Sequence, residues 1–149
     1  MNNIFSTDDD KGRRAFVEFL DKRGKQYKIE FTDNNSYNNK IDCFYTGSTQ
    51  NTAVFEIKVR DKKYYSYDGT LMELDKLNSM VQFKDSYDKL FYICFYDEIG
   101  IVRIFDITNY FPTNIIKLEC NKTTSDNSHI KVLKDVFILP SEMGKEFHY

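Results

Sequence analysis

Tryptophan is absent from this 149-residue chain, proline occurs twice, histidine twice, cysteine three times and glycine six times. Each shortage closes off a class of protein. His129 and His148 have no cysteine or histidine close by in the sequence to complete a metal cluster, so a zinc enzyme is not expected. Cys43, Cys94 and Cys120 are an odd number at wide spacing, and two of them sit in apolar runs. Buried thiols are therefore expected rather than disulfides. There are no internal repeats and no low-complexity tracts beyond local asparagine enrichment. No apolar run approaches the roughly 18 to 20 residues of a membrane span. The opening MNNIFSTDDDKGRR lacks the apolar core of a signal peptide, so the expectation is a cytoplasmic protein with no membrane partner.

What the chain does have is enough material for one core. Hydrophobic residues make up 41%, with 13 phenylalanines and 11 tyrosines, against 30% charged residues. A chain of this length buries roughly two thirds of its unfolded surface, so residues 1–149 are expected to form one domain. The formal charge of −2 conceals an uneven distribution, because Lys11 to Lys28 holds seven lysines or arginines against Glu18 and Asp21. Arg13 and Arg14 lie in that basic segment, which reads either as a solvated helix face or as a patch for phosphates.

Periodicity supplies the element order. Residues 9–23 carry Ala15, Phe16, Phe19 and Leu20 on one helical face, with Gly24 as a stop and Thr7 with Asp10 as a weak cap. QYKIEF (26–31) alternates as a strand, and TDNNSYNNK (32–40) is a turn-rich loop. Lys40 to Tyr45 and Thr52 to Arg60 predict a hairpin joined by TGSTQN. Leu71, Leu74, Leu77 and Val81 predict an amphipathic helix to about Phe83. LFYICFY (90–96) and GIVRIFDI (100–107) predict two strands, the first with the unbroken apolar run of a central one. The tail, including NKTTSDNSH (121–129), reads as irregular structure ending in an edge strand at VFILP (136–140). This order predicts an α/β or α+β sandwich with helices covering a mixed central sheet.

The charges inside the hairpin stand out. Alternate side chains of a strand share a face, so Glu56 and Lys58 point one way while Phe55, Ile57 and Val59 point the other. A hairpin closing around residues 47–50 sets Asp42 opposite position 55 or 56, and one register places it beside Glu56. Opposed carboxylates repel, so they need a compensating cation. A divalent ion such as magnesium accepts one or two carboxylates with waters and a phosphate oxygen. Lys58 stands about 6 to 7 Å along the same face, within reach of a phosphate. The plainer alternative is a cross-strand ion pair on an exposed sheet face. Arg60 continues the alternation as a phosphate contact or a solubilising charge, and Tyr64, Tyr65 and Tyr67 are candidates for base stacking or plain filler.

Asp42 followed by Glu56-Ile57-Lys58 resembles the motif of the PD-(D/E)XK nuclease superfamily, with Ile41 where the family often has proline. The similarity of element order covers roughly residues 9–107. The segment FEIKVRDKKYYSYDGTLMELDKLNSM also resembles the stretch that begins at the motif in small nucleases of phage and mobile elements. That resemblance implies a restriction-endonuclease-like α/β fold, a four-stranded mixed sheet flanked by helices, and a phage or bacterial origin. It implies magnesium, with manganese as a substitute, held by Asp42, Glu56 and the Ile57 carbonyl, and Lys58 orienting or activating the attacking water. It implies a helix residue near the phosphate, for which Lys76 is the candidate although it lies opposite the leucine stripe. An acid on the first helix is common in the family, and here Glu18 is the only candidate, far round from Phe16 and Leu20. The implied activity is hydrolysis of a phosphodiester, with DNA favoured over RNA as partner, Arg13, Arg14, Arg60 and Lys76 as nucleic-acid contacts, and a homodimer as one arrangement for cutting both strands. The alternative is a nuclease-fold module of weak or no activity that binds nucleic acid or a protein.

Overall fold

The computed structural model describes residues 8–24, 26–32, 41–121 and 131–149. Thr7 of the expected cap, most of the asparagine-rich loop and the stretch 122–130 lie outside the described residues.

Helix α1 (Asp8–Lys22) follows the predicted face, with Ala15, Phe16 and Phe19 buried. Phe16 packs on Phe55 at 4.6 Å between ring centroids. Burying a side chain of this size is worth about 1.5 to 3 kcal/mol. The helix ends where Gly24, at φ 66°, donates its N–H to the Asp21 carbonyl. A Cβ on Gly12 would stand 3.0 Å from Ile57 Cγ2, so α1 presses closely on the strand that carries the candidate motif.

Strands β1 (Tyr27–Phe31), β2 (Cys43–Gly47) and β3 (Thr52–Val59) form an antiparallel meander. The chain then passes through β4 (Thr70–Glu73) and α2 (Leu74–Val81), and β5 (Lys89–Tyr96) returns parallel to β3. Its apolar run is buried from Tyr92 to Tyr96, as a strand covered on both faces requires. Strand β6 (Ile101–Asp106) turns back antiparallel to β5.

The tail departs from the sequence expectation. It contains three strands, β7 (Ile116–Asn121), β8 (Lys131–Leu139) and β9 (Gly144–His148). The six-stranded mixed sheet runs β1-β2-β3-β5-β6-β9, and a three-stranded sheet runs β4-β8-β7. The VFILP segment therefore contributes to the centre of the small sheet rather than to an edge. The helix expected from Leu71 begins three residues later, because Thr70 to Glu73 pair with Leu139 to Val136. That partner lies more than 60 residues on, and local periodicity carries no trace of it.

Two apolar clusters lie on opposite faces of the large sheet. Ala15, Phe16 and Phe19 of α1 pack with Phe55, Ile57, Ile93 and Phe95. Leu77 and Met80 of α2, with Met72, Phe137 and Leu139 of the small sheet, pack with Val54, Tyr92 and Tyr96. The result is a mixed α/β architecture with α1 on one face and α2 with the small sheet on the other. No helix among the described residues is long and apolar enough to cross a membrane. Cys43, Cys94 and Cys120 are free thiols, and the first two are buried.

Gly69 tests the turn that leads into the small sheet. At φ 138° it occupies backbone space that side chains avoid, and a Cβ there would meet Ile138 Cγ2 at 2.3 Å. Gly69→Ala should lower unfolding stability by about 1 to 3 kcal/mol in a urea titration. An unshifted midpoint would contradict the close approach of this turn to β8.

Candidate active site

Cys43 pairs with Phe55 at the last rung of the hairpin ladder, and Asp42 is the residue just before it. The Asp42 N–H donates to the Phe55 carbonyl at 3.0 Å, which holds the residue against β3 beyond the regular end of β2. Its carboxylate turns inward: Oδ2 accepts the Ile57 N–H at 2.7 Å. Oδ1 lies 3.6 Å from the Arg13 guanidinium. Both Asp42 and Glu56 are buried, at 6% and 3% exposure.

Arg13 reaches this point because α1 sits so close at Gly12. It also donates to the Thr32 carbonyl at 3.2 Å, and its guanidinium lies 5.0 Å from the centre of the Phe31 ring. Thr32 completes the frame: its N–H donates to the Asp42 carbonyl and its hydroxyl to the Ile41 carbonyl. Arg13, expected as a nucleic-acid contact, is thus taken up by the Asp42 corner. Arg14 is exposed on α1, across the sheet from α2, and the structure does not bring it to the site. Glu18 is likewise exposed on α1.

Glu56 and Lys58 face the α2 side of the sheet, as strand alternation requires. Lys76 of α2 turns toward them rather than to solvent, with its Nζ 3.4 Å from Glu56 Oε2. The pair is an ion pair without hydrogen-bond geometry, so Glu56 Oε2 is buried with no hydrogen-bond partner. Burial first, and then the charge and hydrogen bond of Asp42, push the Glu56 carboxyl well above its ordinary range, against the pull of Lys76 and Lys58. Burial alone would lower Lys76, but Glu56 and Asp42 outweigh it, so its ammonium is held more firmly than usual.

Beside the carboxylates opens a cleft of about 150 Å³ lined by Lys58, Arg60, Leu71, Glu73, Lys76, Tyr92, Cys120 and Lys134. Four cations and one carboxylate make its wall strongly positive. Lys134 of β8 bonds Glu73 of β4 at 2.6 Å. Burial would raise Glu73, yet Lys134, Lys58 and Lys76 together hold it below its ordinary value. Arg60 is fixed by donating to the Leu71 carbonyl at 3.2 Å and the Tyr92 hydroxyl at 3.1 Å. The Cys94 and Cys43 thiols do not fit nucleophilic chemistry, since burial pushes Cys94 up to about 11 and raises Cys43 further still.

The arrangement brings Asp42, Glu56, Ile57, Lys58, Arg60 and Lys76 to one region. Two contributors, Lys134 and Glu73, escaped sequence reading because they come from strands whose pairing is long-range, and Arg13 was read as a phosphate contact rather than as support for Asp42. Among the described residues, no group of three or more His, Cys, Asp or Glu side chains is placed to hold a metal. A metal here would need main-chain oxygen and water beside the two carboxylates, which is the donor set magnesium accepts. The buried Glu56 oxygen without a hydrogen-bond partner fits that requirement.

No family model, curated protein or solved structure matches the chain. The geometry is therefore the basis for any functional reading.

The raised Glu56 carboxyl has a definite effect on stability. In acid, below the ordinary carboxylate range, folded and unfolded chains both hold its proton. Above that range the unfolded chain releases the proton while the folded chain keeps it, so this group's contribution to stability declines as pH rises. Melting curves without metal should show Glu56→Gln close to the parent in acid and more stable than it toward neutral pH. A parent that gains on the variant as pH rises would contradict the assignment.

Proposed function

We propose that the chain is a magnesium-dependent nuclease of the PD-(D/E)XK kind that hydrolyses a phosphodiester bond of DNA. The observation that carries this reading is the buried pairing of Asp42 with Glu56, one of whose oxygens lacks a hydrogen-bond partner, at the edge of a four-cation cleft. Supporting it, α1, the β1-β2-β3 meander, α2 and the parallel return of β5 follow the element order that the motif resemblance implies, within a larger sheet.

In this reading Asp42, Glu56 and the Ile57 carbonyl hold the ion. Magnesium bound there supplies charge to offset the two carboxylates and the Lewis acidity that makes water a nucleophile near neutral pH. The chain's own part is positioning and charge. Ile57 N–H and Arg13 fix the Asp42 carboxylate, so it does not swing away when charge at the site changes. Lys58 and Lys76 lie where a scissile phosphate would enter, and their ammonium groups stabilise the negative charge that builds on its oxygens. Lys58 also orients the attacking water. Arg60 and Lys134 extend the positive wall of the cleft. The overall charge of −2 weakens non-specific attachment to duplex, so binding is expected to depend on this cleft and to fall steeply with salt.

A second reading is favoured by the cations already present. Arg13 stands against Asp42 and Lys76 against Glu56, and such pairs can take the place of a metal in a fold that only binds nucleic acid or a protein partner.

Thermal melting with magnesium or manganese separates the two. A metal at 100 times its dissociation constant adds about 2.7 kcal/mol to the parent. Asp42→Asn, which keeps an acceptor for the Ile57 N–H, should lose that gain. Cleavage of linear, nicked and branched DNA should fall by about 10²- to 10³-fold in Lys58→Ala with folding intact. A parent that neither melts higher with metal nor cuts any of these substrates sinks the nuclease reading and leaves the binding module.

A further inference from the structure

A second cavity adjoins the lysine cleft and has no part in the chemistry of the two carboxylates. Its volume is about 730 Å³, and its walls include Tyr64, Tyr67, Thr70, Tyr96, Leu118 and Ile138, with Arg60 and Leu71 shared between it and the cleft. We propose that this cavity receives an unpaired nucleobase of the strand whose phosphate lies in the cleft. The choice of nucleic acid as ligand rests on the nuclease reading.

The three tyrosines of the segment after β3 have separate tasks. Tyr65 packs inward against Tyr96 at 5.5 Å and lies 4.3 Å beneath the Arg103 guanidinium, so it belongs to the structure. Tyr64 and Tyr67 are 40% and 57% exposed, yet they are held edge to face at 5.4 Å with an interplanar angle of 79°. Exposed rings held in this way contribute little to the core, and the Lys63 ammonium lies 5.1 Å from the centre of the Tyr64 ring. Stacking on such a ring tolerates any base, because every base has a π-face.

At the buried side, Thr70 Oγ1 and the Tyr96 hydroxyl lie 3.4 Å apart, and either atom can donate to the other. Both residues are almost fully buried, at 4% and 1% exposure. A hydroxyl pair of this kind keeps spare donor and acceptor capacity for the edge of a base. Arg60, pinned to Leu71 and Tyr92, stands at the boundary with the cleft, where its charge favours the sugar-phosphate link between base and scissile phosphate. A planar apolar group joined to an anion matches the paired cavities, and a nucleotide is such a molecule. In an intact duplex the base is stacked inside the helix, so filling the cavity requires single-stranded, flapped or unpaired substrate.

The test uses a short single-stranded oligonucleotide carrying 2-aminopurine, in EDTA so that it stays uncut, with a matched duplex and an RNA version as parallel arms. Binding should quench the 2-aminopurine emission in the single strand. Tyr64→Ala with Tyr67→Ala should weaken single-strand binding between about five- and 150-fold, the range expected for loss of base–aromatic stacking. The double Phe variant should restore it, and duplex binding should change less. Circular dichroism checks folding, and both rings are surface-exposed. Unquenched emission with unchanged affinity in the double Ala variant overturns the cavity assignment, even where DNA cleavage by the parent upholds the nuclease reading. Quenching by a parent protein that cuts no DNA once magnesium or manganese is supplied sinks the nuclease reading and leaves the base cavity standing.

Discussion

Two carboxylates from neighbouring strands are buried at one point, and most of the structure around them is arranged to make that tolerable. Removing an acid from water without a partner is expensive, and breaking a buried pair typically costs about 3 to 5 kcal/mol. Asp42 is supported by the Ile57 N–H, the Arg13 guanidinium and the backbone frame of Thr32. Glu56 has less: Lys76 at ion-pair distance, and Asp42 itself. The inequality matters, because it leaves Glu56 with the raised pKa and the oxygen lacking a hydrogen-bond partner. A fold that spends stability in this way at one position is under a constraint other than packing.

The layers divide the work. Helix α1, whose residues around Gly12 lie against Ile57, contributes the Arg13 side chain to the carboxylate corner. The opposite face carries Lys58 of β3, Arg60 just after it, Lys76 from α2 and Lys134 from β8, with the tyrosine-walled cavity beyond. The small sheet is therefore part of the site. Its strand β4 delivers Glu73 to order Lys134, and its outer residues Leu118 and Ile138 wall the cavity.

Much of this was legible in the sequence, for identifiable reasons. Alternation along Thr52 to Val59 placed Glu56 and Lys58 on one face, and the short TGSTQN connection limited Asp42 to position 55 or 56, where its backbone bonds Phe55 and its carboxylate acts on Glu56. The apolar run at 90–96 marked a central strand because burial on both faces leaves no polar position. The small sheet was hidden. Thr70 to Glu73 pair across more than 60 residues, so Leu71 read as the first turn of a helix when it belongs to a strand. Lys76 looked exposed from its helical phase, because the phase was counted from that Leu71. Arg13 was indistinguishable by composition from Arg14, and only the close approach of α1 to β3 separates a structural cation from an exposed one.

The central claim is that Asp42 and Glu56 form a seat for one divalent cation. Diffraction from crystals grown with manganese, recorded for its anomalous signal, addresses it most directly. The account predicts a single peak about 2.0 to 2.3 Å from an oxygen of each residue, with Lys76 drawn away from Glu56 Oε2. A map with no peak between the two carboxylates, and Lys76 still against Glu56, would contradict it.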